Sequence, residues 1–132
     1  MELKRGRLID HLHLRTQDFE ASRTFYAAIL ETLGIPMVAT DQYFYADELW
    51  VDRGDPPSHV HFAFQAPDRE TVERWYAAGL AAGGTDNGAP GERDYHPGYY
   101  AAFLLDPDGN NVEAVFHGPA ARSADAVTIS SD

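Results

Sequence analysis

The sequence predicts an α+β fold built from two βαβββ modules, an internal duplication whose mixed sheets curve around a shared cavity. Three observations carry this. The chain switches twice from a period of two to a period near 3.6, each time strand first and helix second. Its two halves overlay at a fixed offset of 50: His11 falls on His61, Asp18 on Asp68, Glu20 on Glu70, Tyr26-Ala27-Ala28 on Tyr76-Ala77-Ala78, Leu30 on Leu80 and Gly34 on Gly84. And 132 residues suit one compact domain made of two small halves.

Residues 7–15 alternate, with Leu8, Leu12 and Leu14 on one face and Ile9, His11, His13 and Arg15 on the other. That predicts a strand with one buried face. Asp18 then reads as an N-cap, with Glu20 in the first helical turn. Phe19, Ser22, Phe25, Tyr26, Ile29, Leu30 and Leu33 recur at helical spacing until Gly34 and Pro36 end the run. MVAT, YFYA and ELWV read as short strands, with tight turns at Asp41-Gln42 and near Asp47. DRGDPPS is a break.

The same order then restarts. SHVHFAFQA is a strand with Val60, Phe62 and Phe64 on one face and His59, His61 and Ala63 on the other. PDRETVERWYAAGLAAGG is a helix capped by Asp68 and ended by Gly83-Gly84. A short strand is expected near Thr85, then a long polar loop, NGAPGERDYHPG. YYAAFLLD and NNVEAVFH are strands joined by the DPDG hairpin turn. The expected layout is one domain over 1–117, with module one at 7–52, a linker at 53–58 and module two at 59–117. A flexible tail is expected at 118–132, where the residues are small and polar.

Composition narrows the function. A net charge of −11 repels phosphate backbones and disfavours nucleic acid as a partner. No run approaches the length of a membrane span, and the start carries no apolar stretch of a signal peptide. The chain has no cysteine, so it can form neither a disulfide nor a thiolate metal site, which fits a cytoplasmic protein.

The overlay also sorts the histidines. His11 has a counterpart in His61, whereas His13 falls on Ala63 and His59 on Ile9. His13 and His59 are therefore read as rim or supporting residues. In the last strand Glu113 lies opposite the Val112, Ala114, Phe116 face, and a carboxylate buried there needs a partner. Two imidazoles and one carboxylate suit one divalent ion of Fe, Mn, Ni, Co or Zn, with positions left for water or substrate. His11, His61 and Glu113 are thus the candidate metal ligands; a vestigial site in a binding protein is the competing reading.

IDHLHLRTQDFEASRTFYAAIL, HVHFAF, AGLAAGG and, most specifically, YYAAFLLDPDGNNVEAVFH resemble the vicinal oxygen chelate superfamily, the group of glyoxalases, bleomycin-resistance proteins and extradiol dioxygenases. The resemblance spans roughly residues 7–117. It implies paired βαβββ modules around a U-shaped cavity, and a metal on the positions of His11, His61 and Glu113. It also implies bidentate chelation of vicinal substrate oxygens by a lyase, isomerase or dioxygenase. Many such enzymes use a fourth position in the last strand of module one, where Glu48 is the candidate; Glu48 or His96 would then serve as proton-transfer group and Tyr99 as hydrogen-bond donor. Phe44, Trp50 and Phe103 are candidate aromatic walls. The alternative activity is metal-free sequestration of a small molecule or antibiotic. A cationic pocket for glutathione is not evident among the ten Lys and Arg residues. The resemblance further implies a homodimer in which His11 faces His61 and Glu113 of the partner subunit; closure within one chain is the alternative.

Overall fold

The computed structural model describes residues 2–131. Its elements are β1 (Glu2–Arg5), β2 (Leu12–Thr16), α1 (Phe19–Thr32), β3 (Val38–Ala39), β4 (Tyr43–Ala46), β5 (Leu49–Arg53), β6 (His61–Gln65), α2 (Arg69–Ala81), β7 (Thr85–Glu92), β8 (Tyr100–Leu105), β9 (Asn111–Phe116) and β10 (Val127–Ser130). Two four-stranded sheets repeat one topology, β2-β5-β4-β3 and β6-β9-β8-β7. In each, the first strand runs parallel to the last and the remaining pairs are antiparallel. This is the duplicated βαβββ architecture expected from the repeat.

Both helices begin where the carboxylates predict. Asp18 Oδ1 accepts from the Ala21 N–H at 3.1 Å, and Asp68 Oδ1 from the Thr71 N–H at 2.7 Å. α1 buries Phe19, Ser22, Phe25, Tyr26, Ile29 and Leu30, and ends at Gly34 with φ +69°. α2 buries Thr71, Val72, Trp75 and Gly79. The two helices pack on each other and, with the inner faces of both sheets, form one core that includes Leu14, Phe44, Val51, Leu104, Val112 and Ala114. Tyr26 crosses between modules: its hydroxyl donates to Asp106 Oδ2 at 2.6 Å, in the DPDG turn.

Three expectations need correction. The first long strand starts at Leu12, not at Arg7, and Leu8 is exposed rather than in the core. Its partner β5 begins only after the turn at Asp47, whose φ is +46°, so residues 7–11 have no neighbouring strand to pair with. The segment expected as a short strand and a long loop is a strand from Thr85 to Glu92, and the loop is confined to residues 93–99. This strand lies at the sheet edge with an irregular ladder around Gly88, which is where a Gly- and Pro-containing strand is tolerated. Finally, the expected mobile tail contains β10, which pairs antiparallel with β1, Glu2 opposite Ser130 and Arg5 opposite Val127. No helix among the described residues is long and apolar enough to cross a membrane.

Candidate metal and ligand site

Alternation decides what each sheet shows on its outer face. In the second sheet, Val112 and Ala114 are buried against α2 while Asn111 and Glu113 face the other way, together with His61 and Ala63 of β6 and Phe103 of β8. The parallel register sets His61 beside Asn111 and Ala63 beside Glu113, so the imidazole is the diagonal neighbour of the carboxylate. His61 Nε2–H donates to Glu113 Oε1 at 2.9 Å. The other oxygen, Oε2, takes a short hydrogen bond from the Tyr99 hydroxyl. Burial first, and the Glu113 carboxylate second, hold the Tyr99 phenol well above its ordinary value, so the proton stays on the tyrosine. Glu113 is 3% exposed, and these two partners answer the need that its place in the strand creates. Phe103 lies against the His61 ring at 6.0 Å between centroids.

His61 and Glu113 therefore come together; His11 does not join them within one chain. His11 precedes β2 on an exposed turn, its Nδ1 2.7 Å from Asp10 Oδ1. Among the described residues no group of three His, Asp or Glu side chains is placed to hold a metal. The donor chemistry of the His61–Glu113 pair nonetheless suits a divalent ion. With bonds of about 2.1 Å, two donors at a right angle stand about 3 Å apart, which is the spacing these two atoms have. Beside them, Asn111 Oδ1 is buried and without a hydrogen-bond partner.

The first sheet shows why Glu48 is not the counterpart of Glu113. At the offset of 50, His13 overlays Ala63, and His13 pairs with Trp50 where Ala63 pairs with Glu113. Trp50 thus occupies the equivalent position, and Glu48 lies two residues earlier, in the turn before the ladder begins, where its carbonyl accepts from the Leu12 N–H at 2.7 Å. Burial raises the Glu48 carboxyl, with Asp47 adding to the shift and its own backbone N–H and Arg5 opposing it. Of the expected aromatic walls, Trp50 and Phe103 are on outer faces, but Phe44 is fully buried against Phe19 and Tyr26. His96 is held at both nitrogens, Nδ1 by the Pro97 carbonyl and Nε2 by His117 Nδ1, each at 2.9 Å. Its ring and that of His117 pack edge-on against Tyr99. His96 thus steadies the tyrosine rather than touching Glu113.

Sequence reasoning passed over His117, and it set aside His13. His13 Nε2–H donates to Asp52 Oδ1 at 2.7 Å, and His13, His11, Tyr45, Glu48 and Trp50 line a cavity of about 550 Å3 closed on one side by Leu3 and Arg5 of β1. The repeat could not flag His13, because its counterpart is an alanine.

The model of the Glyoxalase/Bleomycin resistance protein/Dioxygenase superfamily matches residues 8–114. Among solved structures, a glyoxalase/bleomycin resistance protein from Albidiferax ferrireducens T118 is 33% identical, with a TM-score of 0.68 over 80% of this chain and 94% of that one. A glyoxalase-related enzyme from Fulvimarina pelagi shares the fold at 19% identity and a TM-score of 0.69, over 96% of this chain and 99% of that one. A lactoylglutathione lyase from Agrobacterium tumefaciens does so at 21% identity and a TM-score of 0.59, over 83% and 93%. No curated protein matches the chain.

Proposed function

The chain belongs to the Glyoxalase/Bleomycin resistance protein/Dioxygenase superfamily, and on that premise we propose that it is a metal-dependent enzyme acting on a small molecule with two adjacent oxygens. The observation that carries this reading is the buried Glu113 carboxylate with His61 Nε2 at 2.9 Å on the outer face of the second sheet. His61 and Glu113 are the ligands of one divalent ion, and His11 of the partner subunit in a homodimer is the third. When bound, the ion supplies Lewis-acid chelation of the vicinal oxygens.

The chain's own groups do the rest. Tyr99 holds Glu113 Oε2 and leaves Oε1 for the ion. Glu48 lines the same cavity as His11 and so joins the site with it, from the partner subunit; its raised carboxyl is suited to accept a proton from carbon next to a bound oxygen. That set of groups favours a proton-transfer reaction of lyase or isomerase type.

One observation favours a second reading, metal-free ligand sequestration: His61, Glu113 and Tyr99 satisfy one another, and Trp50 stands where a fourth ligand would be. Elemental analysis separates the two. The enzyme reading expects about one equivalent of Fe, Mn, Ni, Co or Zn per chain, lost in His61→Ala and in Glu113→Gln. Protein that takes up no metal after incubation with each ion, while both variants fold as the wild type does, moves the assignment to sequestration.

A further inference from the structure

Arg93 follows β7 and folds back over it. Its backbone N–H donates to the Tyr99 carbonyl at 2.9 Å, which carries the pairing of β7 with β8 one residue past Glu92. Its side chain runs along Gly91 and Gly88, and its guanidinium carbon stands 5.3 Å from the centre of the Phe103 ring. The two glycines leave the room. A Cβ at Gly91 would stand 3.0 Å from Nη1, and one at Gly88 would stand 3.3 Å from Nη2 and 3.0 Å from Phe103 Cδ2. Nη2 donates to the Ala89 carbonyl at 2.8 Å and Nη1 to the Glu92 carbonyl at 3.3 Å. A ring and two carbonyls thus hold the guanidinium on the outer face of the second sheet.

Everything that holds Arg93 is neutral. Acidic residues outnumber Lys and Arg by 21 to 10, so a carboxylate partner is the ordinary outcome for an arginine on this surface. Arg93 has none among the described residues. Its neighbour Glu92 is drawn to Arg69 at 2.6 Å, and Glu113 is engaged by His61 and Tyr99. Nε–H and one N–H on each Nη remain for a ligand. The same Phe103 ring lies 6.0 Å from the His61 ring, and Phe103 is the direct cross-strand partner of Glu113. One phenyl ring therefore separates the cation from the His61–Glu113 pair. The charge also reaches Tyr99: burial first and Glu113 second raise its phenol, and Arg93 pulls against that rise.

We propose that Arg93 takes the carboxylate at one end of a small molecule whose adjacent oxygens lie at His61 and Glu113, so that the site is built for a short hydroxy- or oxo-dicarboxylic acid. This names the substrate class of the site and rests on the reading of that face as the ligand site; it does not require the metal. A planar guanidinium presents paired donors to the two oxygens of a carboxylate. Its side chain is already held in place, so little ordering is left to be done on binding. Phe103 gives the carbon chain between the two polar ends an apolar surface to lie on.

The test compares 2-hydroxyglutarate with its 5-amide, which keeps the length and the hydroxy-acid end but removes the distal charge. Isothermal titration is run on the whole chain after incubation with Mn2+ and again after treatment with chelator. Metal content is scored separately by elemental analysis. A chain that takes up no metal ends the metal assignment, and the chelator-treated titration still decides the role of Arg93. The expected result is that the dianion binds about tenfold more tightly than the amide in at least one preparation. Arg93→Met abolishes that difference and leaves the affinity for the amide unchanged, whereas Arg93→Lys, which keeps the charge without the fork, retains part of it. Arg93→Gln serves in place of Arg93→Met if that variant fails to fold. Arg15→Met, which removes the exposed cation of β2 on the first sheet, keeps the preference. Absence of binding overturns the proposal, as does equal affinity for the two compounds in both preparations. So does a preference that survives in folded Arg93→Met or is lost instead in Arg15→Met. Metal uptake that persists while the preference fails removes this inference alone.

Discussion

Tyr99 is a single hydroxyl on which the buried carboxylate depends. Glu113 has two oxygens, one answered by His61 and one by Tyr99, and at 3% exposure neither has ready access to water. Tyr99→Phe keeps the ring against His96 and His117 and deletes only the donor. The orphaned oxygen then carries the desolvation penalty of an unpaired buried acceptor, about 1–3 kcal/mol. Urea denaturation at neutral pH is expected to show that loss for Tyr99→Phe and almost none for Tyr95→Phe, because Tyr95 is 71% exposed. Equal stability of the two variants would mean that Glu113 is satisfied in some other way. The sequence made half of this visible. Strand phase put His61 and Glu113 on one face, since period-two alternation survives in β6 and β9. The same logic failed for His11, because a strand needs a neighbour to pair with and β5 starts too late to give residues 7–11 one.

Among the elements, α2 shows a glycine whose reason is tertiary. Gly79 sits in the last turn of α2, still inside the helix, where alanine has the better propensity by up to about 1 kcal/mol. A Cβ there would stand 2.2 Å from Leu104 Cδ1, 3.1 Å from Ile29 Cγ2 and 3.3 Å from Phe25 Cε1. Gly79→Ala is therefore expected to lower stability by about 1–3 kcal/mol, the usual cost of overpacking; a gain would show that the α1–α2 contact yields freely. The cap of the same helix gives a pH signature. The Thr71 hydrogen bonds hold the Asp68 carboxyl below the usual carboxylate range. A depressed folded value adds stability above the unfolded value, and that stability is lost as pH falls through the folded one. Denaturation midpoints of the wild type should thus decline on acidification more than those of Asp68→Asn, which cannot titrate. Caps and stops were legible because both are local: Asp18 and Asp68, Gly34 and Gly83. β7 was not, since its Gly88 and Pro90 read as loop and only the edge position beside β8 makes a strand of them. The β1–β10 ribbon joins residues more than a hundred positions apart, and each of its strands is only four residues long, too short for the alternation in VTIS to stand out from a small, polar tail.

At the scale of the whole molecule, the fold divides the candidate ligands. The modules meet through α1, α2 and the Tyr26–Asp106 hydrogen bond, and each sheet turns its outer face away from that core. His11 goes with one face and the His61–Glu113 pair with the other. On the shared-site reading, a homodimer therefore holds two sites, each taking His11 from one subunit and His61 with Glu113 from the other. That arrangement has an arithmetic consequence. His11→Ala homodimers lose both sites, and so do His61→Ala homodimers. A heterodimer of the two variants concentrates both defects in one site and leaves the other intact. Co-expression with two different tags, followed by sequential purification, isolates that species. One metal ion per heterodimer, against none in either variant homodimer, is the expected result. If each site instead closes within a single chain, every chain of the heterodimer carries one defect and the species binds no metal. Mass measurement of the wild type at micromolar concentration belongs beside this experiment, because a monomer that binds one equivalent of metal would also exclude the shared site.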